Sequence, residues 1–135
     1  MKEDMALEKE QNVNQEKEME LIVKEVADVL RDDKAFDILV LNIGKLTSIT
    51  DIFVICTATS SVQIKALIRD IDELLHRRNL RLVNSVDNLN SPWVLLDYNY
   101  FVIHIFLKEG RDFYKLERLW SDAEIIYNSN KEKGK

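Results

Sequence analysis

Residues 93–120, WVLLDYNYFVIHIFLKEGRDFYKLERLW, place strand and helix patterns side by side, and their order decides the fold. Two runs rich in leucine, β-branched and aromatic residues flank Tyr98-Asn99-Tyr100, where Asn99 is best able to adopt a positive φ without glycine. The pattern predicts a tight antiparallel hairpin over residues 93–107. Gly110 interrupts it, and Phe113, Leu116, Leu119 and Trp120 then recur at helical spacing, predicting one helix over 111–120 that packs on the sheet.

Towards the N-terminus the same alternation continues. Met19, Ile22, Val23, Val26, Val29 and Leu30 mark an amphipathic helix that begins near Glu18 and stops at Asp32-Asp33. Residues 36–43 (FDILVLNI) and 51–58 (DIFVICTA) are almost continuously apolar, as strands buried on both faces are, and Gly44 with the polar KLTSIT connects them. Ser60 and Gln63 have capping-box spacing and open a second helix, in which Ile64, Leu67, Ile68, Ile71, Leu74 and Leu75 form one stripe. His76, Arg77 and Arg78 put positive charge where the helix dipole favours it. Residues 80–86 read as a further strand, before a polar loop holding the only proline, Pro92. Helices and strands alternating within 135 residues predict a single α/β (α+β) domain, a mixed five-stranded sheet covered by helices.

The net charge of -5 is concentrated at the start: residues 1–20 hold seven acids and three bases, whereas 21–135 hold seventeen and sixteen. A nearly neutral domain lacks the clustered Lys and Arg that face a phosphate backbone, so little direct contact with nucleic acid is expected. Residues 1–17 carry no sustained hydrophobic period and are expected to be a flexible acidic tail, with the domain over 18–127 and a second flexible tail over 128–135. No apolar run approaches the roughly 20 residues of a membrane helix. The acid-rich start resembles neither a secretory signal nor an Arg-rich transit peptide, so a cytoplasmic location is expected. The single cysteine, Cys56, sits in IFVICTA and is expected to be a buried small side chain, not a reactive thiol.

Three constellations could carry chemistry, and each has a plainer explanation. Asp70 and Asp72 evoke the metal-binding carboxylates of nucleotidyltransferases, but residues two apart on a helix diverge by about 200°, and the apolar stripe runs through Ile71 to Leu75. Ser60 and Ser61 could open a phosphate-binding helix, yet no glycine-rich turn or Walker-type lysine accompanies them and capping accounts for both. His76 and His104 lack the paired spacing of a zinc site. The pleat places His104 on the same side of the hairpin as Trp93, Leu95 and Asp97, where an Asp97–His104 hydrogen bond is sterically available as a structural or docking pair without a nucleophile. No catalytic residue, metal site or cofactor follows. Among the aromatics, Phe113, like Leu116 and the alternating hairpin apolars, is assigned to packing, while Trp93 and Tyr98 fit packing and partner contact equally well.

With these residues placed, the chain resembles the ribosomal silencing factor (Iojap) family over residues 19–127. DIFVICTATSS (51–61) leading into QIKAL (63–67), WVLLDY (93–98), VIHIF (102–106) and GRDFYKLERLW (110–120) follow one another in the family's order. The resemblance implies a nucleotidyltransferase-like fold used for binding and not as an enzyme. It implies docking on the large ribosomal subunit through its ribosomal protein fourteen, which blocks joining of the small subunit and represses translation, with a role in large-subunit maturation besides. Carried onto this chain, it singles out Trp93, Asp97 and Tyr98 as docking residues, followed by His104, Glu117 and Arg118. Truncating Trp93 or Tyr98 is expected to weaken docking by ~2 kcal/mol without unfolding the domain. Ribosomal proteins are typically basic, which suits this neutral-to-acidic chain.

Two departures stand out. The family's Gly-Thr-Ser-x-Arg-Gln is here Ala58-Thr59-Ser60-Ser61-Val62-Gln63, without the arginine, and the hairpin glycine is Asn99. Two other readings stay open: a nucleotidyltransferase-like enzyme or nucleotide-binding module using Ser60, Ser61, Asp70 and Asp72, and a homodimer of the free protein formed through the exposed side of the hairpin.

Overall fold

The computed structural model describes the backbone of residues 2–47 and 50–133, and the side chains of 14–47 and 50–131. The chain runs α1 (Lys2–Asp32), β1 (Phe36–Asn42), β2 (Ile52–Ala58), α2 (Ser61–Arg77), β3 (Trp93–Asp97), β4 (Phe101–Leu107), α3 (Lys108–Tyr114), α4 (Leu116–Leu119), β5 (Glu124–Asn128) and α5 (Ser129–Lys133). The strands form one mixed sheet in the order β3-β4-β2-β1-β5. Its centre, β2 and β4, is parallel; the other three pairings are antiparallel. Parallel neighbours need a crossover, and α2 lies within the connection from β2 to β4.

The start of α2 shows how local chemistry fixes that crossover. Ser60 Oγ accepts the backbone N–H of Gln63 at 3.1 Å, and Gln63 Oε1 accepts in return from the N–H and hydroxyl of Thr59, one residue earlier than the expected capping box. The Gln63 amide then donates to the carbonyl of Asp33 at 2.9 Å, tying the N-terminal end of α2 to the C-terminal end of α1. Val23, Val26 and Leu30 of α1 and Ile64, Leu67 and Ile71 of α2 bury against one face of the sheet, on Val40, Val54, Cys56, Leu96, Ile103 and Ile105. Cys56 is buried, as expected, and burial pushes its thiol up to about 12, which leaves it protonated and unreactive at neutral pH.

The five-stranded sheet is present, but one member differs from expectation. Residues 80–86 are not a strand, and Glu124–Asn128 is. The 80–86 segment does run beside β3, with Leu80 and Leu82 packed on the core, yet only Val83 N–H makes a backbone bond there, to Asp97 O at 2.7 Å. The Asn84 side chain takes the place of a ladder residue: its amide donates to Leu95 O at 2.9 Å and its Oδ1 accepts from Asp97 N–H at 2.8 Å. Inward alternation of Leu80 and Leu82 imitates a strand, while a side-chain amide does the edge pairing.

The expected boundaries also shift. The helix α1 runs through residue 17, with Met19 the first of its described side chains to be buried; the expected tail over 1–17 falls mostly on residues whose side chains lie outside those described. At the other end, the boundary after residue 127 falls inside β5, and Ser129 Oγ accepts the N–H of Ile38 at 2.9 Å. The single helix expected over 111–120 is two short ones. Lys115 adopts a left-handed conformation (φ 47°), which ends α3 and starts α4 on a new axis.

The hairpin turn forms as expected, with Asn99 at φ 74° and its N–H donating to Asp97 Oδ1 at 2.8 Å. Gly110 is needed for a close approach: a Cβ there would overlap the carbonyl oxygen of Pro92, which accepts the N–H of Leu107. That contact presses α3 onto the loop from which Trp93 emerges.

Candidate docking face

The carboxylates of the D-x-D pair turn to different neighbours. Asp72 Oδ1 accepts the Tyr98 hydroxyl at 2.9 Å, whereas Asp70 lies against Asp33 and Arg69. Burial and the neighbouring Asp70 carboxylate push Asp33 up to about 6, while the hydrogen bond from Asp33 and then the Arg69 guanidinium hold Asp70 below the usual carboxylate range. Below about pH 6 Asp33 is therefore the carboxyl of the pair that takes the proton. Among the described residues no group of three or more His, Cys, Asp or Glu is arranged to hold a metal ion. Ser60 is engaged in capping α2.

The Asp33 proton has a measurable consequence. A folded-state pKa above the unfolded value means that the native state binds the extra proton between about pH 4 and pH 6, so stability falls as pH rises through that window. Asp33→Asn, which keeps a donor towards Asp70 at all pH values, is expected to stabilise the domain by ~1 kcal/mol at pH 7 and by little at pH 4, the figure being reduced for partial exposure. Urea unfolding at both pH values tests this; an equal effect at the two would refute it.

The second face of the sheet differs from the first in how it is covered. The short helices α3 and α4 and the turn after them lie over it, and Leu41, Ile43, Ile55, Phe106 and Leu116 form a small buried cluster there, with Trp120 and Ala123 packed against it. Around this cluster an aromatic chain runs across the strands. Trp93 lies 5.2 Å from Phe106 and 4.7 Å from Tyr114; His104 lies 4.5 Å from Phe53, and Phe53 lies 5.5 Å from Trp120. Phe113 and Leu119 stand clear of it, 79% and 75% exposed, with Leu95 and Tyr114 also exposed. Trp93, Tyr114 and Phe113 follow one another in ring contact, and Leu95 on β3 and Leu119 on α4 add exposed aliphatic side chains to this mainly apolar set.

The expected docking residues divide on this map. Trp93 is half-buried within the patch, and Arg118 is exposed on α4 beside Leu119. Tyr98 points to the opposite face: it is 1% exposed, stacks on Phe101, and has its hydroxyl held by Asp72, so its side chain cannot touch a partner while the domain is folded. Burial raises its phenol above the usual tyrosine range. Asp97 shapes the turn through Asn99 and accepts Val83 N–H on its backbone. Glu117 braces the interior, accepting at 3.2 Å from Arg111, whose guanidinium also donates to Asp37 O and Thr57 Oγ1.

His104 lies on the Trp93 side, as the pleat requires, but the Asp97–His104 bond does not form. Leu95, not Asp97, stands opposite His104, and Trp93 Nε1 donates to His104 Nδ1 at 3.0 Å. Burial lowers the imidazole to about 4, so it is neutral at physiological pH.

Phe113, expected in the packing, is exposed instead, and Leu119 of the same expected helix and Leu95 of the hairpin are exposed with it. A signal was present: at 100° per residue, Phe113 and Leu119 lie about 120° apart on a continuous helix and cannot share one narrow stripe.

The sequence profile described as ribosomal silencing factor during starvation matches residues 15–135. The chain belongs to the ribosomal silencing factor (Iojap) family. It is 33% identical to the ribosomal silencing factor RsfS of Bacillus subtilis over 104 residues, covering 77% of this chain and 88% of that one. It is also 30% identical over 96 residues to the mouse protein named mitochondrial assembly of ribosomal large subunit protein 1, covering 69% of this chain and 42% of that one. A crystal structure of a Chromobacterium violaceum protein superposes with a TM-score of 0.68 at 34% identity, covering 74% of this chain and 83% of that one. The family is named for a role in silencing the ribosome during starvation, and the Chromobacterium violaceum structure shares this chain's fold over the part it covers. No described helix is long and apolar enough to cross a membrane.

Proposed function

We propose that this protein docks on the large ribosomal subunit through the α3–α4 face, and thereby blocks joining of the small subunit and represses translation in the cytoplasm. The observation that carries the reading is the exposure of Leu95, Phe113, Tyr114 and Leu119 together with the half-buried Trp93, because large exposed aromatic and aliphatic side chains on a small domain mark a partner surface. The family's name supplies the ribosome, and the name of the mouse relative supplies the large subunit. Within that subunit the partner is ribosomal protein fourteen. A net charge of -5 favours a basic protein surface over rRNA. Docking in this mode is stoichiometric binding and not enzymatic turnover, and the same contact during maturation would accompany assembly of the subunit.

Sedimentation of purified subunits tests the reading. The protein is expected to travel with the large subunit and to reduce the joined ribosome fraction when added before the small subunit. If it stays at the top of the gradient and joining is unchanged, the proposal fails. The exposed patch also favours pairing of two free copies. A dimer that dissociates on adding the large subunit would place self-association and docking on the same face.

A further inference from the structure

One polar side chain lies buried beneath the docking patch. His104 is 3% exposed, among the rings of Phe53, Trp93 and Phe106. An indole N–H can only donate, so the 3.0 Å contact from Trp93 Nε1 requires a lone pair on Nδ1 and puts the imidazole proton on Nε2. Nε2 is itself buried and has no hydrogen-bond partner. For packing alone this is a poor position for histidine, since leucine would fill the space without leaving a buried donor unpaired.

The acceptor is used by Trp93, whose indole makes this directional contact and otherwise meets the faces and edges of neighbouring rings. Its ring lies on Phe106 and beside Tyr114, contacts that many small rotations about the side chain would preserve. A hydrogen bond to a fixed imidazole selects one of them, because the donor direction defines the indole plane. His104 is itself held in the sheet interior, with Leu95 opposite it on β3 and Ile55 beside it on β2.

We propose that His104 is a positioning residue for docking: through Nδ1 it fixes the indole of Trp93 in the orientation that a partner protein meets. The inference rests on the docking role proposed for this face. It assigns His104 no contact with the partner; it acts through Trp93, by removing the rotational freedom that binding would otherwise have to remove.

Three variants and one spectrum test it. His104→Leu removes the acceptor, His104→Asn returns an acceptor oxygen near the position of Nδ1, and Trp93→Phe removes the donor. Large-subunit binding is expected to weaken ~10-fold in His104→Leu, to recover to within ~3-fold of the starting protein in His104→Asn, and to show no further loss when His104→Leu is added to Trp93→Phe. In the free protein, the Trp93 indole N–H resonance, assigned by its absence in Trp93→Phe, is expected to be slow to exchange, and to become fast in His104→Leu but not in His104→Asn. If His104→Leu does not fold, Trp93→Phe and His104→Asn still decide. Unaltered binding by Trp93→Phe, or a loss in His104→Asn equal to that of an unrelated core variant, overturns the inference. Failure of the unmodified protein to bind the large subunit overturns the docking role instead, and the indole spectrum then reports on the bond alone.

Discussion

Tyr98→Ala is expected to lower the stability of the domain by about 3–4 kcal/mol, the range found when a large buried aromatic side chain is truncated. Its ring lies in the main core, stacked on Phe101 of the sheet with its hydroxyl reaching Asp72 of α2, so the cavity left behind would open between a strand and a helix. The hydroxyl contributes less. Tyr98→Phe breaks only the bond to Asp72, an exposed carboxylate that water can satisfy, and is expected to cost about 1 kcal/mol or less. Urea unfolding of both variants measures the difference. At temperatures where Tyr98→Ala is still folded it should dock normally. A variant that kept its stability but lost docking would show that Tyr98 reaches the partner after all.

The double variant Phe113→Asp/Leu119→Asp should behave in the opposite way. Both side chains project into solvent, so exchanging them is expected to change folding stability by no more than about 0.5 kcal/mol. In a docked complex the same two charges would be desolvated against an apolar surface, and binding is expected to fall at least ~100-fold. Trp93→Ala should cost ~2 kcal/mol of binding, since its ring is shared between the cluster beneath and the patch above. Measuring affinity for the large subunit together with the melting temperature separates the two classes. An aspartate pair that bound normally would remove the α3–α4 face from consideration.

Much of the fold could be read from the chain because burial on both faces leaves long apolar strands and burial on one face leaves a clean stripe. Phe36–Asn42, Ile52–Ala58 and the stripe of α2 are of this kind, and the turn at Asn99 was marked by the one residue able to replace glycine. The misread segments are those in which a neighbour far along the chain decides the structure. Glu124–Asn128 has only β1 beside it and no strong alternation, and 80–86 is kept out of the ladder by a single amide, that of Asn84. The docking face was half legible. The partial exposure of Trp93 could be read from its place after Pro92, but the exposure of Phe113 and Leu119 goes with a left-handed Lys115 that no propensity favours. Tyr98 fits packing and partner contact equally well from sequence because a residue at the edge of a turn can point either way, and here the pleat carries it inward.

The order of the sheet has a kinetic side. β1 is an interior strand whose outer neighbour, β5, lies far along the chain: the bond from Ile38 N–H to Ser129 Oγ spans 91 residues. Until that partner has been synthesised and has found its place, the β1 edge carries unpaired amides next to buried valine and leucine, an opening for another chain to pair wrongly. Contacts so distant in sequence also slow folding, since the intervening loop must close before they form. The nascent chain is therefore most prone to aggregate while its first strand still waits for its last.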